Sequence, residues 1–169
     1  MNTHEGFLVE AGETRANEPF DVLGNQILVK LGGSDTRRNY AIVEDIAQPQ
    51  AGPPLHIHSR EDETFYVIEG EFLFEVDGKQ FQGGPGCLVH APRGLAHAFQ
   101  NISTAPARML TIVQPAGLDV FFAELDAAVG GGQEPDLSVV VPIFEKYGME
   151  VVGPPLAERS QISQRQAAA

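Results

Sequence analysis

Cysteine occurs once in the chain, at Cys87, so no internal disulfide can form. Basic residues are scarce, 11 against 23 acidic ones, for a formal net charge of -12. Nucleic acid and anionic membranes reward clustered Lys and Arg, so this balance argues against both as partners. A carboxylate-rich surface mainly keeps a protein soluble. No apolar run approaches the roughly 20 residues of a membrane-spanning helix. The opening Met1-Asn2-Thr3-His4-Glu5 has neither a positive start nor an apolar run behind it, so the sequence reads as leaderless and cytoplasmic. Internal repeats are absent too. What remains is 169 residues with an ordinary 43% hydrophobic content, enough for one domain with a sizeable core.

The strongest pattern is a succession of short apolar runs punctuated by turn residues. Phe7–Val9, Gln26–Val29 and Tyr40–Ile46 read as strands, with Gly32-Gly33-Ser34-Asp35 as a turn between the last two. Three prolines and a glycine make Gln48–Pro54 a loop. Thr64–Ile68 and Glu71–Val76 form the clearest strand pair, and Asp77-Gly78 signals a hairpin into Lys79–Gln82. Cys87–His90, Ala96–Asn101 and Arg108–Val113 follow, with Cys87 expected as a small buried thiol. Short strands at close, regular spacing predict an antiparallel sandwich or barrel. Beyond residue 115 the period changes. Leu118, Phe121, Phe122, Leu125 and Val129 recur at helical spacing, and a second helix is expected from an Asp136 cap to Tyr147, kinked or broken at Pro142. The polar tail from Pro154 reads as loose chain, or as an arm laid on a neighbour.

Chemistry concentrates between Pro54 and Asn101. In an extended strand side chains at i and i+2 share a face, so His56 and His58 project together and Ile57 faces away. Glu63 follows a short charged link and can swing back as a third ligand, and His97 arrives from a separate strand. Three imidazoles and a carboxylate suit iron, manganese, nickel, copper or zinc better than calcium or magnesium. Glu61 could substitute for Glu63; otherwise Glu61 and Asp62 read as a solvated charge cluster. His90 reads as a surface or interface histidine.

These residues also carry a family resemblance. His56-x-His58, four residues, Glu63, six residues, Gly70 resembles the first cupin motif. Gly86, five residues, Pro92-x-Gly94, two residues, His97, three residues, Asn101 matches the second at every spacing. One position departs: the motif glycine six residues before the first histidine is Gln50, which suggests a shifted loop using Gly52. The resemblance implies an all-β jelly-roll barrel (a double-stranded β-helix) over residues 21–115. It adds an N-terminal strand arm over 1–20, a cover of two C-terminal helices over 116–152 and a flexible tail over 153–169. It further implies that His56, His58, Glu63 and His97 bind one divalent transition metal ion, and the overall plan resembles the bacterial quercetin-dioxygenase-like cupins. The implied function is a metal-dependent dioxygenase that cleaves a flavonol, phenolic or diketone-type small molecule, with Glu63 as ligand or general base. Phe65, Phe74, Phe99 and Phe121 are candidate pocket residues, each with a plainer reading as core. The alternatives are a binding module that grips a small molecule through the metal, or an isomerase or cyclase, which would want Arg or Lys inside the barrel. A homodimer is the assembly the resemblance suggests.

Overall fold

The computed structural model describes residues 5–129 and 136–159. Among these residues, eleven strands form two sheets that face each other. The first sheet has the order β1 (Phe20–Val22), β2 (Asn25–Leu31), β3 (Ala41–Ala47), β10 (Ala107–Gln114), β5 (Asp62–Glu69) and β8 (Leu88–Ala91). The second has the order β11 (Met149–Pro155), β4 (Pro54–His58), β9 (His97–Asn101), β6 (Phe72–Val76) and β7 (Lys79–Gly83). Every described pairing is antiparallel. No helix among the described residues is long and apolar enough to cross a membrane.

Alternation drives the layering. In β5, Glu63, Phe65 and Val67 are buried while Thr64 and Tyr66 face outward. Opposite it in β6, Phe72 and Phe74 are buried and Leu73 is not. Phe65, Val67, Phe72, Phe74, Phe99 and Met109 pack into a core at one end of the sandwich. A second core joins Ile27, Val29, Val43 and Val113 to Leu118, Phe121 and Leu125 of α1 (Leu118–Val129) and to Val140, Ile143 and Phe144 of α2 (Leu137–Lys146). The helices close one end of the sandwich because their apolar stripes have no other surface to bury against.

Turn chemistry matches the backbone at the β6–β7 hairpin. Asp77 and Gly78 both have positive φ, 51° and 73°, the pairing that a two-residue turn with a right-handed strand twist requires. Gly52 answers a different need, close approach: a Cβ there would lie 1.9 Å from the Phe99 carbonyl oxygen on β9. Gln50 has φ 67°, a left-handed conformation that favours glycine. Position 50 keeps the glycine-like backbone with a side chain on it, held where Gln100 Nε2 donates to Gln50 Oε1 at 2.6 Å.

Several expectations are corrected. Residues 7–9 form no strand; the chain before β1 instead lies along β2, with the Arg15 amide donating to the Val29 carbonyl. Cys87 is exposed, just before β8 begins. Helix α2 runs unbroken through Pro142, started by an Asp136 side chain that accepts from the Ser138 amide at 2.9 Å. The largest correction is β11. Residues assigned by sequence to the end of the cover and the start of the tail form a strand beside β4, with Val151 opposite His56 and Met149 opposite His58. Its Gly153-Pro154-Pro155 disguises it, and such residues are tolerated because β11 is an edge strand. One helical turn follows, from which Arg159 reaches Glu75 at 2.6 Å. The rest of the tail, from residue 160, lies outside the described residues.

Candidate metal centre and its cavity

Three strands assemble the site. β4 and β9 are paired so that His56 stands directly opposite His97. His58 shares the inner face of β4, two residues on, and Glu63 reaches in from β5 of the facing sheet. One ligand atom from each of His56, His58, Glu63 and His97 lies within 4.8 Å of the others, and all four side chains are buried. The imidazole centroids are 4.6 to 5.3 Å apart.

The outer ring nitrogens fix the tautomers. His56 Nδ1 lies 2.8 Å from the Pro54 carbonyl and His97 Nδ1 lies 3.0 Å from the Leu95 carbonyl. A carbonyl only accepts, so Nδ1 carries the hydrogen in both, and Nε2 faces the cluster. His58 Nδ1 approaches Glu61 Oε2 at 3.4 Å. Glu61 is therefore neither a ligand nor part of a solvated patch. It is buried behind His58, where it orients the ring. On the inner side, Glu63 Oε2 is 2.8 Å from His97 Nε2 and 3.7 Å from His58 Nε2.

The electrostatics follow from burial and mutual proximity. Burial pushes the His56 imidazolium down to about 3, helped by its neighbours His97 and His58, so His56 is neutral over the ordinary pH range. Burial works to raise Glu63, but His58 and His97 outweigh it and hold the carboxyl at about 2. His97 is raised because its contact with Glu63 outweighs the cost of burial. The donor set fits a divalent transition metal on two grounds. It is a mixed nitrogen and oxygen set converging on one point, and His58 Nε2 is buried without any hydrogen-bond partner.

The cluster opens onto a cavity of about 60 Å³, counted as space open to the centres of water molecules. That is room for a few waters or part of a small ligand. Phe65, Phe99 and Phe121 line it, as does Phe122. Phe74 does not. It is packed in the core, 5.6 Å from the Phe65 ring and 5.8 Å from Phe72. The sequence reading missed three polar members of the wall, Asn25, Asp45 and Thr111. Asp45 was the legible one, an acid on the same strand face as Ala41, Val43 and Ala47. Burial raises its carboxyl to about 7, against a hydrogen bond from Thr111, with Glu63 and Glu44 adding to the rise. Among the described residues, no lysine or arginine lines the cavity. Arg93 instead pairs with Asp62, and Arg108 with Glu44 and Glu69.

Known proteins bear out this architecture. Residues 44–113 match a family model described as a cupin domain. Quercetin 2,3-dioxygenase of Bacillus subtilis is 30% identical over 70 residues, 41% of this chain and 20% of that protein. An uncharacterised protein, MJ1618 of Methanocaldococcus jannaschii, is 30% identical over 61 residues, 36% of this chain and 49% of that protein. The chain thus spans a fifth of one curated relative and about half of the other. Among solved structures, a predicted oxalate decarboxylase from Thermotoga maritima superposes with a TM-score of 0.58 at 18% identity, covering 64% of this chain and 99% of that one. At that identity the likeness is one of fold. The two antiparallel sheets form a jelly roll, and the matched segment contains every strand that carries the histidine cluster; residues 44–113 match the cupin domain, and the chain resembles the quercetinase-like cupins.

Proposed function

We propose that the protein is a metal-dependent oxidoreductase, a quercetinase-like dioxygenase acting on a flavonol, phenolic or diketone-type small molecule. The observation that carries this reading is the buried three-histidine, one-glutamate cluster at the wall of a mostly apolar cavity. When bound there, a redox-active transition metal would acidify a coordinated hydroxyl and mediate electron transfer to dioxygen.

The chain's own residues supply the rest. His56, His58 and His97 would hold the metal through Nε2, each ring steered from behind by an oxygen on Nδ1. Glu63 is ionised and stands where a hydroxyl at the cluster would deliver its proton to Oε2. Phe65, Phe99 and Phe121 exclude water and offer flat apolar surface to a ring. The isomerase and cyclase alternatives gain little from this cavity, since no Lys or Arg among the described residues lines it to hold an anionic substrate.

A homodimer is part of the same proposal. β7 and β8 are open sheet edges, and Tyr66, Phe81 and Leu88 expose apolar surface on or beside them. Sedimentation equilibrium should return twice the 18.2 kDa chain mass; a monomer at that mass would remove this part.

The deciding experiment is elemental analysis of purified protein beside a His58→Ala variant, followed by oxygen-uptake assays over phenolic substrates. About one iron, manganese, nickel or copper per chain, lost in the variant, together with oxygen consumption, is the expected result. Stoichiometric metal without oxygen consumption would leave a small-molecule-binding cupin. Absence of metal after reconstitution would overturn the reading.

A further inference from the structure

The three polar wall residues are not scattered. Across the first sheet, Val113 stands opposite Glu63 and Thr111 opposite Phe65. Val43 stands opposite Thr111 and Asp45 opposite Met109. Ile27 stands opposite Asp45, and Asn25 opposite Ala47. Glu63, Thr111, Asp45 and Asn25 therefore lie on one diagonal, each one strand over and two residues on from the last. Diagonal neighbours on one face of a sheet are within side-chain reach. All four line the cavity, and all four are buried. The diagonal begins in the histidine cluster and ends at the far wall.

The diagonal is rich in acceptors. Thr111 spends its hydroxyl hydrogen on Asp45 Oδ2 at 2.6 Å, which leaves the Thr111 oxygen as an acceptor and Asp45 Oδ1 as an acceptor when ionised and a donor when protonated. Asn25 Oδ1 is buried without any partner. A native interior rarely leaves a buried acceptor unmet, and the usual explanation is a group that arrives from outside. The facing surface is apolar, built from Leu118, Phe121, Phe122 and Leu125 of α1. Away from the histidine cluster, the described lining contains no Lys or Arg to compensate an anionic ligand group.

We propose that Asn25, Asp45 and Thr111 form the specificity wall of the cavity, and that they receive a second hydroxyl of a neutral aromatic or enolic small molecule whose first hydroxyl lies at the histidine cluster. The assignment rests on the functional reading above for the position of the first hydroxyl. It goes beyond that reading in requiring two hydroxyls and in excluding carboxylated and phosphorylated substrates.

The test uses full-length, metal-loaded protein under anaerobic conditions, with isothermal titration of three probes: 1,4-dihydroxybenzene, phenol and 4-hydroxybenzoate. The para hydroxyls of the first cannot both reach one metal ion, so its second hydroxyl is free for the wall. 1,4-Dihydroxybenzene should bind at least about tenfold tighter than either, since one well-placed buried hydrogen bond is worth about 1.4 kcal/mol. Asn25→Leu should erase most of that advantage, leave phenol affinity and metal stoichiometry unchanged, and raise the melting temperature of ligand-free protein by about 3 °C by removing an unmet acceptor. Asp45→Asn serves as the second, nearly isosteric variant and should also narrow the gap between the diol and phenol. Equal affinities for the diol and phenol, or equal loss of both in the two variants, would overturn the inference, as would preferential binding of the carboxylated probe. Oxygen uptake separates this outcome from the functional proposal. Discriminating binding without oxygen consumption keeps the wall and removes the dioxygenase. Oxygen consumption indifferent to the second hydroxyl does the reverse.

Discussion

His58 is the residue on which the metal centre turns, because its Nε2 is buried with nothing to bond. Truncating it removes one of four converging donors, so His58→Ala should weaken metal binding at least about 100-fold, more than outer-sphere changes cost, as read by competitive chelator titration. Asp45 gives the sharpest pH prediction. Its carboxyl titrates near 7 in the folded chain against an ordinary 3.8, so the folded state favours the protonated acid. The resulting stabilisation is fully present below about pH 4 and is lost as pH rises through 7. Asp45→Asn cannot ionise. In metal-free protein its stability should match the parent near pH 4 and exceed it above pH 7 by an amount on the order of 4 kcal/mol, measured by urea unfolding across that range. An equal offset at every pH would mean that Asp45 is not carrying the titration. At this scale the ligands were legible and the wall was not. Histidines at i and i+2 announce a shared face by themselves, whereas Asn25 and Thr111 are ordinary strand residues until registers place them beside Asp45.

Among the elements, β4 matters most, because two of the four candidate ligands ride on it. It is held from both sides, by β9 through the His56–His97 pair and by β11 through Val151 and Met149. The loop that delivers β4 is clamped by Gly52, whose Cα sits against the backbone of Phe99. Gly52→Ala should therefore destabilise the fold by about 3 kcal/mol or more, since the neighbour is main chain and cannot rotate away. Chemical denaturation of the variant checks this; a loss under about 1 kcal/mol would mean that the loop has room to shift. The strands flanking the motifs were readable because each alternates apolar and polar residues between clear turns. β11 was not readable, because a strand of Met149-Glu150-Val151-Val152-Gly153-Pro154-Pro155 has too little pattern of its own, and its identity comes from the partner beside it.

For the whole molecule, metal and fold are coupled. A site built from three strands of two sheets exists only when both sheets are in place, so an ion that binds it stabilises the folded state alone. At free metal about 1,000-fold above its dissociation constant, the gain is about 4 kcal/mol, and stripping the metal with a chelator should lower the melting temperature by about 10 °C. An unchanged melting temperature, with metal demonstrably removed, would show that the cluster is held by its protein contacts without need of an ion. By itself the sequence determined the short antiparallel strands, the shared face of His56 and His58 and the two covering helices, because spacing within a single strand or helix fixes which side chains share a face. The jelly-roll barrel and the fourfold ligand set were legible only through the resemblance of the two motifs. Only the tertiary structure decided that Glu61 stands behind His58, that Phe74 is core, that β11 braces β4 and that a polar diagonal crosses the cavity wall. Those facts depend on which strands lie side by side and in what register, and strand neighbours distant along the chain are chosen by packing rather than by local spacing.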